Sequence, residues 1–222
     1  MIELIHGDCM DYMRELPDKV FDLAVVDPPY GIGEDGGDHK HKATPNKAWK
    51  NPRSKGYAKK DWDKEPPCEH YFAELMRVSK NQIIWGANHF IDRLPRKNSS
   101  CWVAWYKAGQ NPNTDFADGE LAWGSFKTAV KFVDIAWIGF GAVNLKEHRI
   151  HPTQKPVKLY QWLLSNYAKP GDRILDTHLG SGSSAIAAHY AGFDFVGIEL
   201  DEDYYKAACE RFERETAQQA LF

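Results

Sequence analysis

A chain of 222 residues with 13% aromatic residues is long enough, and apolar enough, for one globular domain with a packed core. It has no apolar run of about 18 residues, which excludes the membrane-spanning class, and its first residues lack the pattern of a secretion signal. Its four cysteines are scattered, without a C-x-x-C pair. We therefore expect no membrane partner, no metal site, no disulfide framework and a location in the reducing cytoplasm.

The net charge of −3 conceals one strongly basic segment. Residues 39–64 contain nine Lys or Arg residues against two Asp residues, a surplus of seven positive charges on an otherwise acidic chain. Such a segment is typical of a local contact with a polyanion, although a solvated loop has the same composition. The residues predicted to bind phosphate groups are Lys40, Lys42, Lys47, Lys50, Arg53, Lys55, Lys59 and Lys60.

The chain begins with short apolar segments separated by turn residues. Their pattern predicts a strand at 2–5, a helix at 9–16 and a buried strand at 21–26, followed by a long polar loop at about 31–63. The later segments predict helices at 67–78, 156–168, 183–191 and 201–216, and strands at 82–86, 101–106, 120–125, 133–138, 172–176 and 194–198.

Strands and helices alternate, most regularly over residues 172–216. This alternation predicts an α/β fold with a doubly wound, mostly parallel sheet. In such sheets, ligands bind beyond the carboxyl ends of the strands. Polar motifs follow two of the predicted strands, and a third motif precedes a predicted helix.

The first motif, Asp27-Pro28-Pro29-Tyr30, comes directly after the buried strand. Its prolines stiffen the backbone and remove two N–H donors, which leaves carbonyl groups beside a carboxylate and an aromatic ring. An amino group on a heteroaromatic ring is a poor nucleophile because its lone pair is delocalised. The Asp27 carboxylate and the Pro28 carbonyl can accept its two hydrogens, and Tyr30 can stack on the ring. The structural alternative is a rigid loop with a surface tyrosine.

The second motif, at 176–185, is a glycine turn between a predicted strand and a predicted helix. Its spacing fits G-x-G-x-x-A, and Glu199 ends the next predicted strand. Glycines let a nucleotide-like ligand approach the backbone, and an acid at the next strand end can accept hydrogen bonds from ribose hydroxyls. Tight turns also use glycine for packing, so the motif alone is a weak signal.

The third motif, at 151–156, precedes the helix predicted at 156–168. Thr153 or Gln154 can cap this helix, whose N-terminal amides favour a carboxylate, and Lys155 adds a cation. Without the other motifs, a plain capping turn explains the same residues.

Together these residues resemble the amino-methyltransferases of DNA, which act on adenine N6 or cytosine N4. Residues 27–30 match the family's catalytic (Asp/Asn/Ser)-Pro-Pro-(Tyr/Phe/Trp) motif, and residues 176–184 look like its Asp-Pro-Phe-x-Gly-Ser-Gly-Thr-Thr cofactor loop. Residues 151–156 look like the segment that helps to hold the methionine part of the cofactor. The catalytic motif precedes the cofactor loop, which is the circularly permuted motif order of one class. The resemblance covers roughly 1–30 and 150–205.

The resemblance implies a Rossmann-like methyltransferase fold and S-adenosyl-L-methionine as cofactor. Gly7-Asp8-Cys9 resembles the element whose Asp meets the cofactor's adenine. His178 stands where the family has Phe, and Thr177 where it has Pro, so one wall of the pocket differs. The cofactor-binding residues implied are Asp8, Thr153, Lys155, Asp176, His178, Gly180, Ser181, Gly182, Ser183 and Glu199.

The implied reaction is direct methyl transfer to adenine N6 in double-stranded DNA, after the target base has been flipped out of the stack. The single domain, residues 1–222, then carries a basic, flexible insert at about 31–64 and a short target-recognition region at about 108–150. His148 and Arg149 are candidate readers of the DNA groove. A restriction endonuclease partner and a homodimer are both compatible with the resemblance.

Other functions fit part of the same pattern. The chemistry also suits cytosine N4, an RNA base or the side-chain amide of a protein glutamine. Asp at position 27 and the basic segment favour adenine and nucleic acid, respectively. A dinucleotide-dependent oxidoreductase could use the glycine turn at 180–185, but only one strand–helix unit follows that turn.

Overall fold

A computed structural model describes residues 1–37, 57–107, 117–137 and 149–217. Predictions that fall on 38–56, 108–116 and 138–148 lie outside these ranges. They include His148, nearly half of the region assigned to target recognition, and six of the residues predicted to bind phosphate, Lys40, Lys42, Lys47, Lys50, Arg53 and Lys55.

The described chain forms one eight-stranded sheet with helices on both faces. The strands are β1 (Ile2–His6), β2 (Phe21–Val26), β3 (Ser79–Trp85), β4 (Cys101–Tyr106), β5 (Gly119–Gly124), β6 (Lys131–Asp134), β7 (Arg173–Asp176) and β8 (Asp194–Glu199). The α-helices are α1 (Cys9–Arg14), α2 (Glu69–Val78), α3 (Val157–Tyr167), α4 (Ser183–Ala191) and α5 (Glu202–Ala217), and short 3₁₀ turns lie at Ala87–His89 and Ile91–Arg93. No helix in the described ranges is both long and apolar enough to cross a bilayer.

The strand order is β1-β8-β7-β2-β3-β5-β4-β6. The first five of these strands pair in parallel, β5 runs antiparallel to β3 and β4, and β6 is parallel to β4. The prediction of a doubly wound, mostly parallel sheet is therefore confirmed. The parallel half places the carboxyl ends of five strands at one edge, where ligands bind in such sheets.

Strand β2 lies in the interior of the sheet, and its side chains alternate between two apolar layers. Leu23 and Val25 pack in the layer that contains the buried residues of α3 and α4, whereas Ala24 and Val26 pack in the layer with α2. Because both faces are covered, a continuous apolar sequence is what this strand requires. The strand holds Asp27, which follows its last residue, in a fixed position at the edge of the sheet.

The largest error in the predicted elements is the strand at 133–138, which was placed too far along the chain. The observed strand β6 is Lys131–Asp134. Regular pairing with β4 thus begins two residues before the predicted start and ends at Asp134. Beyond it, the Ile135 N–H donates to the Tyr106 carbonyl at 3.3 Å and the Trp137 N–H donates to the Lys107 carbonyl at 2.9 Å, without forming a regular strand. An apolar pattern does not show where regular pairing stops.

Candidate active site

A cavity of about 1470 Å³ opens at the carboxyl edge of the parallel strands. It is lined by Asp27 after β2, His178 after β7, Glu199 at the end of β8 and Asp8 after β1. Residues that lie far apart in the sequence thus share one cavity because the sheet places their strands side by side. The residues predicted from all three motifs meet there.

Asp27 and Tyr30 contact each other directly. The Tyr30 hydroxyl donates to Asp27 Oδ1 at 2.8 Å, and the Tyr30 ring stacks on His89 with ring centroids 5.2 Å apart. Gly86 faces the same ring, and a Cβ at that position would overlap it, so this turn requires glycine. The ring expected to stack on a base is therefore already fixed between its neighbours and the Asp27 carboxylate.

Lys155 lies beside Asp27 and forms the centre of a buried ion network. Its Nζ donates to Asp27 Oδ2 at 2.5 Å and lies 3.0 Å from Glu120 Oε2, while Lys107 Nζ lies 2.5 Å from Glu120 Oε1. Sequence reasoning assigned Lys155 to the cofactor and did not identify Glu120 or Lys107. The contacts of Lys155 place it instead against the catalytic motif.

The charged residues of this network shift one another's pKa values. Burial acts to raise the pKa of Glu120, but Lys155 and Lys107 outweigh it and lower that pKa to about 2. Burial opposes the charge on Lys155, yet Asp27 and Glu120 outweigh it and raise the Lys155 pKa. Burial, opposed by Lys155, raises the pKa of Asp27. The cation at Lys155 therefore favours the ionised form of Asp27.

The glycine turn follows β7, the strand next to β2, and lines another part of the cavity. Gly180 has φ +52° and Gly182 has φ +74°, and the Gly180 N–H donates to Glu199 Oε2 at 2.7 Å. Asp176 lies behind this turn, where it accepts hydrogen bonds from the His178 N–H at 3.0 Å and the Ser184 hydroxyl at 2.6 Å. Its burial raises the pKa of Asp176 to about 7. Asp176 thus shapes the turn, whereas Glu199 lines the cavity.

The predicted cofactor residues differ in their access to the cavity. Asp8, Thr153, His178, Gly180, Ser181 and Glu199 line it, as does Lys155. Ser183 is buried behind the turn, where its hydroxyl accepts from Arg211 at 2.8 Å. Asp8 also caps α1 by accepting from the Met10 N–H at 2.7 Å.

His151 packs inside an aromatic cluster on the cofactor side of the cavity. Its ring stacks on Trp62 with centroids 5.3 Å apart and meets the Tyr204 ring at 4.3 Å. The Thr153 hydroxyl lies 3.2 Å from His151 Nδ1. Burial lowers the pKa of His151 to about 3, so this ring is neutral near pH 7.

The end of the basic insert returns across the cavity and is anchored by Asp63. The Asp63 carboxylate accepts backbone hydrogen bonds from Tyr30 at 2.7 Å, Gly31 at 2.8 Å and Glu34 at 2.8 Å. No sequence motif pointed to this residue. It ties the loop that follows the catalytic motif to the far end of the insert.

Two of the residues predicted to bind phosphate lie within the described ranges. Lys59 Nζ is 2.5 Å from Asp35, and Lys60 Nζ is 2.8 Å from both Asp201 and Asp203. Both lysines therefore form ion pairs within the protein.

Comparison with known proteins finds similarity to the family that the motifs resemble. Residues 105–210 match the model of the N6/N4 methyltransferase family, described as DNA methylase. The chain is 26% identical over 236 residues to the putative methylase YubD of Escherichia coli (strain K12), covering 95% of this chain and 90% of that one. It is 24% identical over 257 residues to the type II methyltransferase M2.DpnII of Streptococcus pneumoniae, covering 96% and 90%.

The fold also matches solved structures. The M1.HpyAVI-SAM complex superposes with a TM-score of 0.59 at 20% sequence identity, covering 95% of this chain and all of the other. At this identity the likeness shows the fold.

Proposed function

We propose that this chain, which is similar to DNA amino-methyltransferases, transfers a methyl group from S-adenosyl-L-methionine to N6 of adenine in double-stranded DNA. The observation that carries this proposal is the partly buried Asp27, held between Tyr30 and Lys155 at the edge of the cavity. The cofactor supplies an electrophilic methyl group on a sulfonium when it is bound. The remaining chemistry is the work of the protein's own residues.

Asp27 and Pro28 activate the target amine. The carboxylate and the adjacent Pro28 carbonyl accept the two amine hydrogens, which localises the nitrogen lone pair toward the incoming methyl group. Transfer would break the bond between the methyl group and the sulfonium sulfur, release S-adenosylhomocysteine and leave positive charge on the nitrogen until the amine loses one proton. The fixed Asp27 carboxylate would stabilise that charge as it develops. Tyr30 and Lys155 hold Asp27 in place, so no reorganisation is needed at the moment of reaction.

The cofactor is held in another part of the same cavity. Glu199 at the end of β8 accepts from ribose hydroxyls, and Gly180 and Ser181 allow the ligand to approach the backbone. Asp8 and Thr153 line the same space. This assignment leaves the Asp27 side of the cavity for the flipped base.

The remaining contacts with DNA come from the basic insert at about 31–64 and the target-recognition region at about 108–150. The surplus of seven positive charges over residues 39–64 supports the first assignment. Similarity to a type II methyltransferase supports a role beside a restriction endonuclease in the cytoplasm.

Cytosine N4 is the second candidate, because the matching family model covers both N6 and N4 enzymes. Asp as the first residue of the catalytic motif favours adenine. Digestion of methylated DNA to nucleosides, followed by mass spectrometry, separates the two: N6-methyladenine is expected. N4-methylcytosine alone would overturn the choice of base and leave the catalytic residues in place. Methylated RNA without methylated DNA would overturn the choice of DNA.

The Asp27→Ala variant tests the catalytic assignment. We expect methyl transfer to be abolished, while the affinity for S-adenosylhomocysteine stays within about twofold of the parent protein, because Asp27 is assigned to the base. Calorimetry and turnover are measured on the same preparation. Turnover near the parent value would remove Asp27 from the mechanism.

A further inference from the structure

A short chain of polar side chains leads from the interior of the protein to the cavity. Tyr71 of α2 is buried, and its hydroxyl lies 2.6 Å from Thr177 Oγ1. Thr177 Oγ1 lies in turn 3.0 Å from His178 Nδ1, and the Tyr71 hydroxyl lies 3.5 Å from the same nitrogen. The His178 ring lines the cavity.

The direction of these hydrogen bonds follows from comparing the number of donor hydrogens in this group with the number of acceptors. If Tyr71 donates to Thr177, and Thr177 donates to His178 Nδ1, both hydroxyl hydrogens have acceptors. If Nδ1 instead donates to Thr177, one hydroxyl hydrogen in this buried group has no acceptor among the described residues. Buried donors are rarely left unpaired, so the first direction is favoured. The imidazole then carries its hydrogen on Nε2.

Burial keeps this ring neutral and its hydrogen in place. It lowers the pKa of His178 to about 4, and it raises the pKa of Tyr71 well above its ordinary value. Near pH 7, the Tyr71 hydroxyl therefore keeps its hydrogen. The neutral His178 ring carries one hydrogen, on one of its two nitrogens. His178 Nε2 has no protein partner among the residues that the structure describes.

We infer that His178 donates a hydrogen bond from Nε2 to a ring nitrogen of the adenine of the bound cofactor, and so selects for that base. This inference rests on the proposed function. The residues around His178 favour contact with the purine ring of the cofactor over contact with its carboxylate. Cys9, Cys68 and Tyr71 form largely apolar walls, and the Asp8 carboxylate nearby would repel a second carboxylate. A phenylalanine at this position could not donate such a bond.

Calorimetry with S-adenosylhomocysteine and its 1-deaza, 3-deaza and 7-deaza analogues tests the inference. We expect one analogue to bind the parent protein about 10-fold more weakly than S-adenosylhomocysteine, the loss of one hydrogen bond to a buried donor. In His178→Phe this difference should fall below about threefold, because the donor is gone. Equal binding of all three analogues to the parent protein, or an undiminished difference in His178→Phe, would overturn the inference.

5′-Methylthioadenosine, which has no carboxylate, distinguishes the two ends of the cofactor. Its affinity should fall in His178→Phe by the same factor as that of S-adenosylhomocysteine. A loss confined to S-adenosylhomocysteine would assign His178 to the carboxylate and overturn the inference. If S-adenosylhomocysteine does not bind the parent protein at all, the proposed function fails instead.

Nitrogen NMR of histidine-labelled protein tests the tautomer without any ligand. The His178 signals, assigned by their loss in His178→Phe, should show the hydrogen on Nε2. Thr177→Val removes the donor to Nδ1 while it keeps His178, and should increase the population of the other tautomer. A hydrogen on Nδ1 in the parent protein would contradict the argument.

Discussion

At the scale of single residues, Lys155 is the one whose contacts suggest a role other than the predicted one. It is buried and lies 2.5 Å from Asp27. Removal of its charge in Lys155→Met should raise the pKa of Asp27 further, because the cation that favours the carboxylate is lost. The acidic limb of the plot of turnover against pH should therefore move to higher pH. Turnover near pH 7 should fall about 10-fold or more.

The measurement is turnover against pH, with S-adenosylhomocysteine affinity determined in parallel. Lys158→Met, an exposed lysine in the first turn of α3, is the matched control and should leave both unchanged. An unshifted pH profile combined with weakened cofactor affinity would instead support the assignment of Lys155 to the cofactor.

His151 and His178 make the stability of the protein sensitive to acid. Burial lowers the pKa of His151 to about 3 and that of His178 to about 4, whereas both titrate near 6.5 in the unfolded chain. Below pH 6.5 the unfolded state binds protons that the native state does not, so stability falls as the pH falls toward 4. Each histidine contributes up to about 1.4 kcal/mol per pH unit in that window.

Denaturant unfolding at pH 7.5, 6 and 5 measures this effect. His151→Phe keeps an aromatic ring between Trp62 and Tyr204 and removes one titrating group, so its free energy of unfolding should fall less steeply over these buffers. An equal slope for the two proteins would mean that His151 does not titrate differently in the folded and unfolded chains.

At the scale of elements, one carboxylate makes three of the hydrogen bonds that hold the loop after β2. Asp63 accepts hydrogen bonds from the backbone of Tyr30, Gly31 and Glu34. Asp63→Ala should destabilise the protein by about 2–4 kcal/mol, since charge-assisted bonds are lost. It should also lower turnover, because Tyr30 loses one anchor.

Thermal unfolding and turnover of this variant are compared with those of Asp61→Ala. Asp61 is exposed and pairs with Lys64 on the surface, so its loss should cost less than about 1 kcal/mol. Equal behaviour of the two variants would show that the Asp63 contacts do not hold the loop.

The bounds of a strand or helix could be predicted from the sequence where nearby residues mark its ends. β2 and α4 have the predicted bounds because an apolar run and a glycine turn mark their ends. The position of β6 was wrong because apolar residues continue past Asp134, where regular pairing ends although Ile135 and Trp137 still donate backbone hydrogen bonds to Tyr106 and Lys107. A single sequence shows that a residue is apolar and does not show whether it belongs to a regular strand.

The site was predictable only where its residues form compact motifs. Asp27 and Glu199 stand at strand ends with recognisable neighbours. Glu120 and Asp63 act through contacts that span many residues, and nothing beside them in the sequence marks either contact. Glu120 is the second residue of the antiparallel strand β5, and the pairing of β5 with β3 and β4 brings it to Lys155.

At the scale of the whole molecule, the charge distribution predicts how DNA binding responds to salt. Replacing Lys40, Lys42 and Lys47 by Gln should reduce the slope of log affinity against log salt by up to about 2.7 if each lysine meets a phosphate. The matched pair Lys59→Gln and Lys60→Gln should change it less, because these lysines already form ion pairs with Asp35, Asp201 and Asp203.

The slope is measured by titrating a labelled duplex at several salt concentrations. An unchanged slope in the triple variant would mean that these lysines do not contact phosphates and would support the alternative, a solvated loop. A larger change in the double variant would mean that Lys59 and Lys60 exchange their carboxylate partners for phosphates on binding.

The strand order affects how the chain folds while it is being synthesised. β7 and β8 lie between β1 and β2, with Leu23 opposite Ile174 and Ile2 opposite Phe195. At ordinary rates of synthesis, on the order of 10 seconds separate the emergence of β2 from that of β7. Until then both early strands expose an unpaired apolar edge, which a chaperone or a second nascent chain could occupy. Insertion of the last two strands is then a single late event that joins the wall of the cavity near Asp27 to the wall near Glu199, so no shorter intermediate has both.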